Sequence, residues 1–246
     1  MDANRKAAVS AGVLFIIATA AALLGSVLYS PLLSGTDYLT RVAANPNQVT
    51  GGALLGFIAA GASVGIAIAL YPVLKKWNAG LALGSVVFRT IEAVGYIAGV
   101  VGLLSLLSVS QQFTRAGAAD RAAFQAIGDS LLGARESAAT VAVLAFILGA
   151  LMYYYVFYQS RLIPRWLSGF GMAAIALMLV ADLLAWFSNS PVTSYVILAA
   201  PIAVQEIVLA VWLIVKGFSS RALQSRTASN DSNAVTRLPL KPGVAG

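Results

Sequence analysis

The chain has 246 residues, of which 59% are apolar and 10% are charged, and its mean hydropathy is +0.85. Soluble domains carry about 25% charged residues, so this composition excludes an ordinary water-soluble fold and predicts the lipid bilayer as a partner. A net charge of +7 would indicate nucleic-acid binding in a soluble protein. Here the basic residues fall in particular loops, and we expect no nucleic-acid partner.

The hydropathy pattern predicts an all-α, polytopic integral membrane protein with a six-helix transmembrane bundle over residues 1–218. Each span has about 20 apolar residues, the length that crosses a bilayer. The predicted spans lie near residues 7–29, 49–71, 81–109, 130–157, 167–187 and 195–215. Residues 219–246 are rich in Ser, Asn, Arg and Pro, which predicts a disordered cytoplasmic tail.

Successive loops are alternately rich and poor in basic residues, so the two sides of the predicted bundle differ in charge. The loops of one side, the sparse side, carry only Arg41, Arg115 and Arg121. The dense side carries Arg5, Lys6, Lys75, Lys76, Arg161, Arg165, Lys216, Arg221, Arg226, Arg237 and Lys241. Because Lys and Arg concentrate in short cytoplasmic loops, both termini are predicted to be cytoplasmic.

Aromatic residues accompany the basic loops. Trp77 and Trp166 stand beside two of them, and Tyr153–Tyr155 end the fourth predicted span. Amphipathic rings favour the headgroup level of a membrane, so we expect these residues to form an interfacial belt.

Two connections on the sparse side are long enough to carry structure. In the first, Asp37 and Arg41 have the i,i+4 spacing of a helical ion pair. In the second, Phe113, Phe124 and Ile127 are predicted to line one face of a short interfacial helix.

Ionisable residues lie inside four of the predicted spans, and Arg89 and Glu92 share one face of the third. Each such group costs roughly 2.5–3.5 kcal/mol at a helix centre, so we expect them to face inward and to pair or be hydrated. Two arginines and four carboxylates leave two carboxylates to a proton, to water, or to a cation or cationic ligand. The candidate ligand- or proton-binding residues are Arg89, Glu92, Arg135, Glu136, Asp182, Gln205 and Glu206.

Pro201 stands about one turn before Glu206 in the sixth predicted span. Its ring interferes with the carbonyl of Ile197, and its nitrogen cannot donate to the helix, so we predict a kink there. Bent helices often border binding sites in membrane proteins.

Four strings of the sequence carry a family resemblance over about residues 5–218. They are NPNQV, FRTIEA, SRLIPRWLS and PIAVQEIVLAVWLIVKGF. Together they resemble a bacterial membrane family catalogued as domain-of-unknown-function family 4386. The resemblance implies a six-helix multi-pass protein of the bacterial plasma membrane, and it transfers no activity and no catalytic residue.

Three classes of function stay open, and the excess of carboxylates favours the first of them. That class is proton- or cation-linked binding or transport of a small cationic or protonatable ligand, in a hydrated cavity containing Glu92 and Glu206. Six helices are few for a secondary transporter, which leaves a homodimer open. The second class is a structural, sensory or accessory subunit whose buried charges only stabilise packing.

The third class, a membrane-embedded carboxylate-dependent enzyme, is disfavoured. The chain has no cysteine and no histidine, so thiol nucleophiles and histidine bases are excluded. An HExxH motif is likewise excluded, and no Ser–His arrangement can form without histidine. We therefore predict no enzymatic activity, no catalytic residue, no metal site and no cofactor.

Overall fold

The structure is a computed structural model and describes residues 2–188, 190 and 192–226, in which there is no β-strand. Six of its helices are long and apolar enough to cross a membrane, which confirms the predicted six-helix architecture. The helices are α1 (Ala3–Tyr29), α2 (Tyr38–Ala44), α3 (Pro46–Leu74), α4 (Ala79–Arg115), α5 (Arg121–Ser160), α6 (Arg165–Ser188) and α7 (Val196–Val215), with 3₁₀ turns at Ser30–Leu33 and Val192–Tyr195.

The six spanning helices form a closed ring, in which each packs on the next along the chain and α7 packs on α1. Two of the glycines that permit this close packing are Gly12 and Gly95. A Cβ atom on Gly12 would lie 2.8 Å from the carbonyl oxygen of Ala210, and one on Gly95 would lie 2.6 Å from the Cβ atom of Ala142. Small residues let helix backbones approach closely in lipid, so these positions bring α1 against α7 and α4 against α5.

Arg5 joins the beginning of α1 to the end of α7. Its Nη2 atom donates to the carbonyl oxygen of Ile214 at 2.6 Å, and Nη1 donates to that of Leu213 at 3.2 Å. A cation is favourable at helix C-terminal carbonyls. The start of α1 and the end of α7 therefore share one face of the bundle, which we call the basic face. Its assignment to the cytoplasm stays a prediction from the Lys and Arg pattern.

Helices α4 and α5 continue well beyond the third and fourth predicted spans. Their 37 and 40 residues give lengths of about 55 and 60 Å, against a hydrocarbon core of about 30 Å. The predicted short interfacial helix is therefore wrong, because Phe113 belongs to α4 while Phe124 and Ile127 belong to α5. Hydropathy marks only the apolar part of a helix and misses the part that projects beyond the membrane.

Helix α2 packs against this projecting hairpin, opposite the basic face. Tyr38 and Leu106 share an apolar cluster, and the Tyr38 hydroxyl donates to Oδ1 of Asp129 in α5 at 2.8 Å. Burial, followed by the Asp129 carboxylate, raises the pKa of Tyr38, so the hydroxyl keeps its proton at neutral pH. The predicted pair of Asp37 and Arg41 is present, with 3.2 Å between Oδ1 and Nη2.

Removing the Tyr38 hydroxyl is expected to loosen α2. Tyr38→Phe should lower the free energy of unfolding by about 1 kcal/mol, measured by SDS titration, and should speed proteolysis between α1 and α3. The matched control is Tyr195→Phe, because the Tyr195 hydroxyl bonds Ser188 at the exposed surface. Equal losses in the two variants would show that the contact of Tyr38 with Asp129 does not hold α2.

The predicted interfacial belt of three tyrosines is wrong for two of them. Tyr153 and Tyr154 are fully buried and belong to the same core cluster as Phe15 and Phe157, while Tyr155 is 47% exposed. Successive residues of an α-helix point about 100° apart, so three in a row cannot all face the lipid. The buried rings form an aromatic cluster in the half of the ring nearest the basic face.

The chain folds back on itself after α7. The Ser219 N–H donates to the carbonyl oxygen of Leu162 at 2.9 Å, and residues 220–226 are helical. Of the predicted disordered tail, residues 227–246 lie outside the described residues.

Candidate functional site

A cavity of about 220 Å³ lies within the ring and receives residues from all six spanning helices. We call it the central cavity. Its apolar lining includes Phe146 of α5 and Met178 of α6. An apolar cavity of about 150 Å³ can hold benzene, so the central cavity has room for a small organic molecule. Its polar lining consists of Thr19, Ser63, Arg89, Glu92, Tyr96 and Glu206.

Arg89 and Glu92 form a buried ion pair on one side of this cavity. The i,i+3 spacing in α4 brings Nη1 of Arg89 within 3.0 Å of Oε2 of Glu92, and the two side chains are 2% and 4% exposed. The Ser63 hydroxyl of α3 donates to the same oxygen at 2.9 Å. On its other side, the Arg89 guanidinium lies 4.9 Å from the ring centre of Phe146. Glu92 therefore has both a cation and a hydrogen-bond donor.

Glu206 enters the central cavity from the middle of α7 and is only partly satisfied. Its Oε2 atom accepts a hydrogen bond from the Thr19 hydroxyl of α1 at 2.9 Å. Its Oε1 atom is buried and has no hydrogen-bond partner within the described residues. A buried carboxylate without compensation is costly. Glu206 thus has spare capacity for a proton, water or a cation, and Nε and Nη1 of Arg89 are buried donors without a hydrogen-bond partner among the described residues.

Gln205 does not line the central cavity, although it precedes Glu206. The Tyr154 hydroxyl of α5 donates to its Oε1 atom, and its Nε2 atom donates to the carbonyl oxygen of Leu167 in α6 at 3.2 Å. Gln205 is fully buried and bonded at both ends of its amide. Its observed contacts are those of a link between three helices.

Asp182 is also kept apart from the central cavity. It is fully buried in α6, and neither carboxylate oxygen has a hydrogen-bond partner in the part of the chain that is described. The α6 residue that reaches the cavity is Met178, one turn earlier. The structure therefore does not bring Asp182 to Arg89, Glu92 or Glu206.

Arg135 and Glu136 line a second cavity, of about 350 Å³, near the end of α1 that is opposite the basic face. We call it the outer cavity. The Arg135 guanidinium lies 4.5 Å from the ring centre of Tyr29. Arg135 and Tyr29 also line a smaller cavity of about 140 Å³, which shares Tyr96 with the central cavity. The three cavities are therefore in series, from the outer end of the ring to Glu92 and Glu206.

The central cavity is closed toward the basic face by the aromatic cluster. Phe146 lines the cavity, and Tyr153 lies two turns beyond it along α5, fully buried. Phe15 packs edge-on against Tyr153, with 6.2 Å between the ring centres. These packed aromatic rings therefore separate the central cavity from the basic face.

Helix α7 runs without interruption through Pro201, and the following residue, Ile202, lines the central cavity.

Within residues 2–188, 190 and 192–226, no group of three or more acidic, cysteine or histidine residues could hold a metal ion. The polar groups that line the central cavity are hydroxyls, two carboxylates and one guanidinium.

Three polar residues of the central cavity are absent from the residues predicted from the sequence, namely Thr19, Ser63 and Tyr96. Tyr96 follows Glu92 by one helical turn, so the i,i+4 rule could have found it. The two smaller hydroxyls had no comparable signal. Ser and Thr commonly bond across helices in membranes, but the partner of each depends on how the helices pack.

One family model matches the chain. Its description is Domain of unknown function (DUF4386), and the match covers residues 10–217. This range contains every residue of the three cavities named above. Neither the comparison with curated proteins nor that with solved structures finds a match.

Proposed function

We propose that this chain, which belongs to the DUF4386 family, binds a small cationic or protonatable molecule in its central cavity, in the plasma membrane of a bacterium. One observation carries the proposal. Glu206 presents a buried oxygen without a hydrogen-bond partner, within the described residues, to a cavity that all six spanning helices line.

The charges in the cavity favour a cation as the ligand. Arg89 is engaged by Glu92 at 3.0 Å, and the Thr19 hydroxyl is the one hydrogen-bond donor to Glu206 among the described residues. A protonated amine would give Glu206 a charge-assisted hydrogen bond, which is about twice as strong as a neutral one. Met178 and Ile202 would cover the apolar part of such a molecule. A mostly apolar pocket with a few placed polar groups is typical of small-molecule sites.

The ligand would approach from the side opposite the basic face. The outer cavity, the small cavity between Tyr29 and Arg135, and the central cavity form a series in that direction. The aromatic cluster around Tyr153 closes the other direction. Transport would therefore require the rings of this cluster to move apart and open a path to the basic face, as alternating access requires.

A structural or accessory role is the second candidate, and contacts between buried polar side chains favour it. Arg89 is paired with Glu92, and Gln205 is bonded to Tyr154 and to the Leu167 carbonyl. Buried polar groups of this kind can fix helix register without binding anything. In that case Glu206 would hold a proton permanently and the cavity would take no solute. Neither candidate assigns catalysis, a metal or a cofactor to the chain.

Native mass spectrometry with a series of small alkylamines separates the two candidates. The wild-type protein in mild detergent should retain an amine, and Glu206→Gln should weaken the affinity about tenfold to hundredfold, because a hydrogen bond to a charged group contributes about 1.5–3 kcal/mol. Glu136→Gln is the matched control, since that carboxylate is exposed in the outer cavity. No amine on the wild type, or equal loss in both variants, would leave the structural role.

A further inference from the structure

A groove of about 780 Å³ lies on the basic face, between the turn that joins α5 to α6 and the segment after α7. We call it the basic groove. Neither Asp nor Glu is among the described residues that line it. Four basic residues line it: Arg161, Arg165, Lys216 and Arg221. Two strings singled out in the sequence, SRLIPRWLS and the end of PIAVQEIVLAVWLIVKGF, meet at this place.

Two changes of chain direction build the groove. Arg161 ends α5 with a left-handed backbone (φ 55°), and Gly217 does the same after α7 (φ 72°). Glycine is the usual residue at such helix ends, because a side chain is strained there. Among the described residues Arg161 is the one non-glycine residue with positive φ. Backbone strain at a single residue is a reason to look for a function of the side chain of that residue.

No acidic side chain of the described residues pairs with the cations around the groove. The ion pairs of the described chain involve Arg41 and Arg89, and none reaches the groove. Arg165 packs over the ring of Tyr158, at 5.1 Å from its centre, which is a contact without negative charge. Like charges gathered in one concave place attract counterions. An anion in the groove would relieve their mutual repulsion.

The floor of the groove is apolar. Leu162 and Ile163 are buried beneath it, and Pro164, Trp212 and Phe218 complete the apolar lining. Trp166, next to the groove residue Arg165, is 60% exposed, as expected for a ring at the headgroup level. Cations above an apolar floor suit a molecule with a negative head and a hydrocarbon body. Basic pockets between helix ends at a membrane surface bind lipid headgroups in this way.

We infer that the basic groove binds the phosphate of an anionic phospholipid from the leaflet on its own side. The inference is independent of the proposed ligand of the central cavity, because the aromatic cluster separates the two places. The phosphate lies among Arg161, Lys216 and Arg221, and the acyl chains leave along the apolar floor toward the bilayer.

Native mass spectrometry of the full chain with phosphatidylglycerol and phosphatidylcholine tests this. The wild type should retain phosphatidylglycerol at least tenfold more than phosphatidylcholine, and the triple variant Arg161→Gln, Lys216→Gln, Arg221→Gln should lose this preference. Equal retention of the two lipids by the wild type would overturn the inference. Displacement of phosphatidylglycerol by millimolar inorganic phosphate would also overturn it, since the groove would then be a site for a soluble phosphate.

A second triple variant controls for net charge. Lys6→Gln, Lys75→Gln and Lys76→Gln remove three cations from the same face without touching the groove, so lipid preference should be kept. Equal losses in the two triple variants would reduce the effect to general attraction by the basic face and overturn the inference.

A single variant guards against a folding defect in the triple variant. Arg161→Gly removes one groove cation at a position where glycine suits the left-handed backbone. It should fold at least as well as the wild type and should retain several-fold less phosphatidylglycerol. Unchanged retention in this well-folded variant would count against a role for Arg161 and against the inference.

Discussion

Arg89→Met is expected to lower the free energy of unfolding by about 3–5 kcal/mol, the usual cost of removing one partner from a buried ion pair. The variant leaves the Glu92 carboxylate 4% exposed, with the Ser63 hydroxyl as its remaining donor. Glu92→Leu should cost a similar amount, because it leaves the Arg89 guanidinium buried without its counterion. SDS titration of the purified protein measures both.

The double variant Arg89→Met, Glu92→Leu should recover most of the lost stability. Replacing a whole buried pair by apolar residues of similar volume is often neutral, and the freed Ser63 hydroxyl can bond a carbonyl of its own helix. The coupling energy from the double-mutant cycle should therefore be large. The charge-reversed pair, Arg89→Glu with Glu92→Arg, should also fold if the pair is only structural. If both single variants remain stable, Arg89 and Glu92 do not depend on each other.

The parts of this molecule that sequence could predict are those that act within one helix. Runs of about 20 apolar residues give the six spans, and i,i+3 or i,i+4 spacing places Arg89 beside Glu92 and Asp37 beside Arg41. Each of these inferences needs only the geometry of a single helix, and the structure contains all of them.

The contacts that sequence could not predict are those between helices. Glu92 and Glu206 were expected in one cavity because both lie deep in their spans, but the hydroxyls that bond them, Ser63 and Thr19, depend on how the helices pack. Asp182, like Glu206, is a carboxylate inside an apolar span, yet the packing of α6 leaves it outside the central cavity. The tyrosines were misplaced because hydropathy gives the depth of Tyr153 but not the direction in which its ring points.

Gly95→Leu is expected to separate α4 from α5. A Cβ atom at this position would lie 2.6 Å from the Cβ atom of Ala142 and 3.2 Å from the carbonyl oxygen of Ala138, and neither can move without the helix. Overpacking of this kind costs about 1–3 kcal/mol or more. Because Glu92 lies one turn away, the shift should also disturb the central cavity, so amine binding should weaken together with stability.

Gly99→Leu is the matched control for this glycine, one turn further along the same helix. A Cβ atom there meets no other atom within 4 Å, although Gly99 does line the small cavity between the outer and central cavities. We therefore expect unchanged stability in an SDS titration, with slower exchange of a bound amine because leucine narrows the path. If the two substitutions destabilise the protein equally, leucine disturbs α4 itself, and the close packing of Gly95 against α5 is not the cause. Normal exchange in Gly99→Leu would mean that the ligand reaches Glu206 by a route other than the three cavities in series.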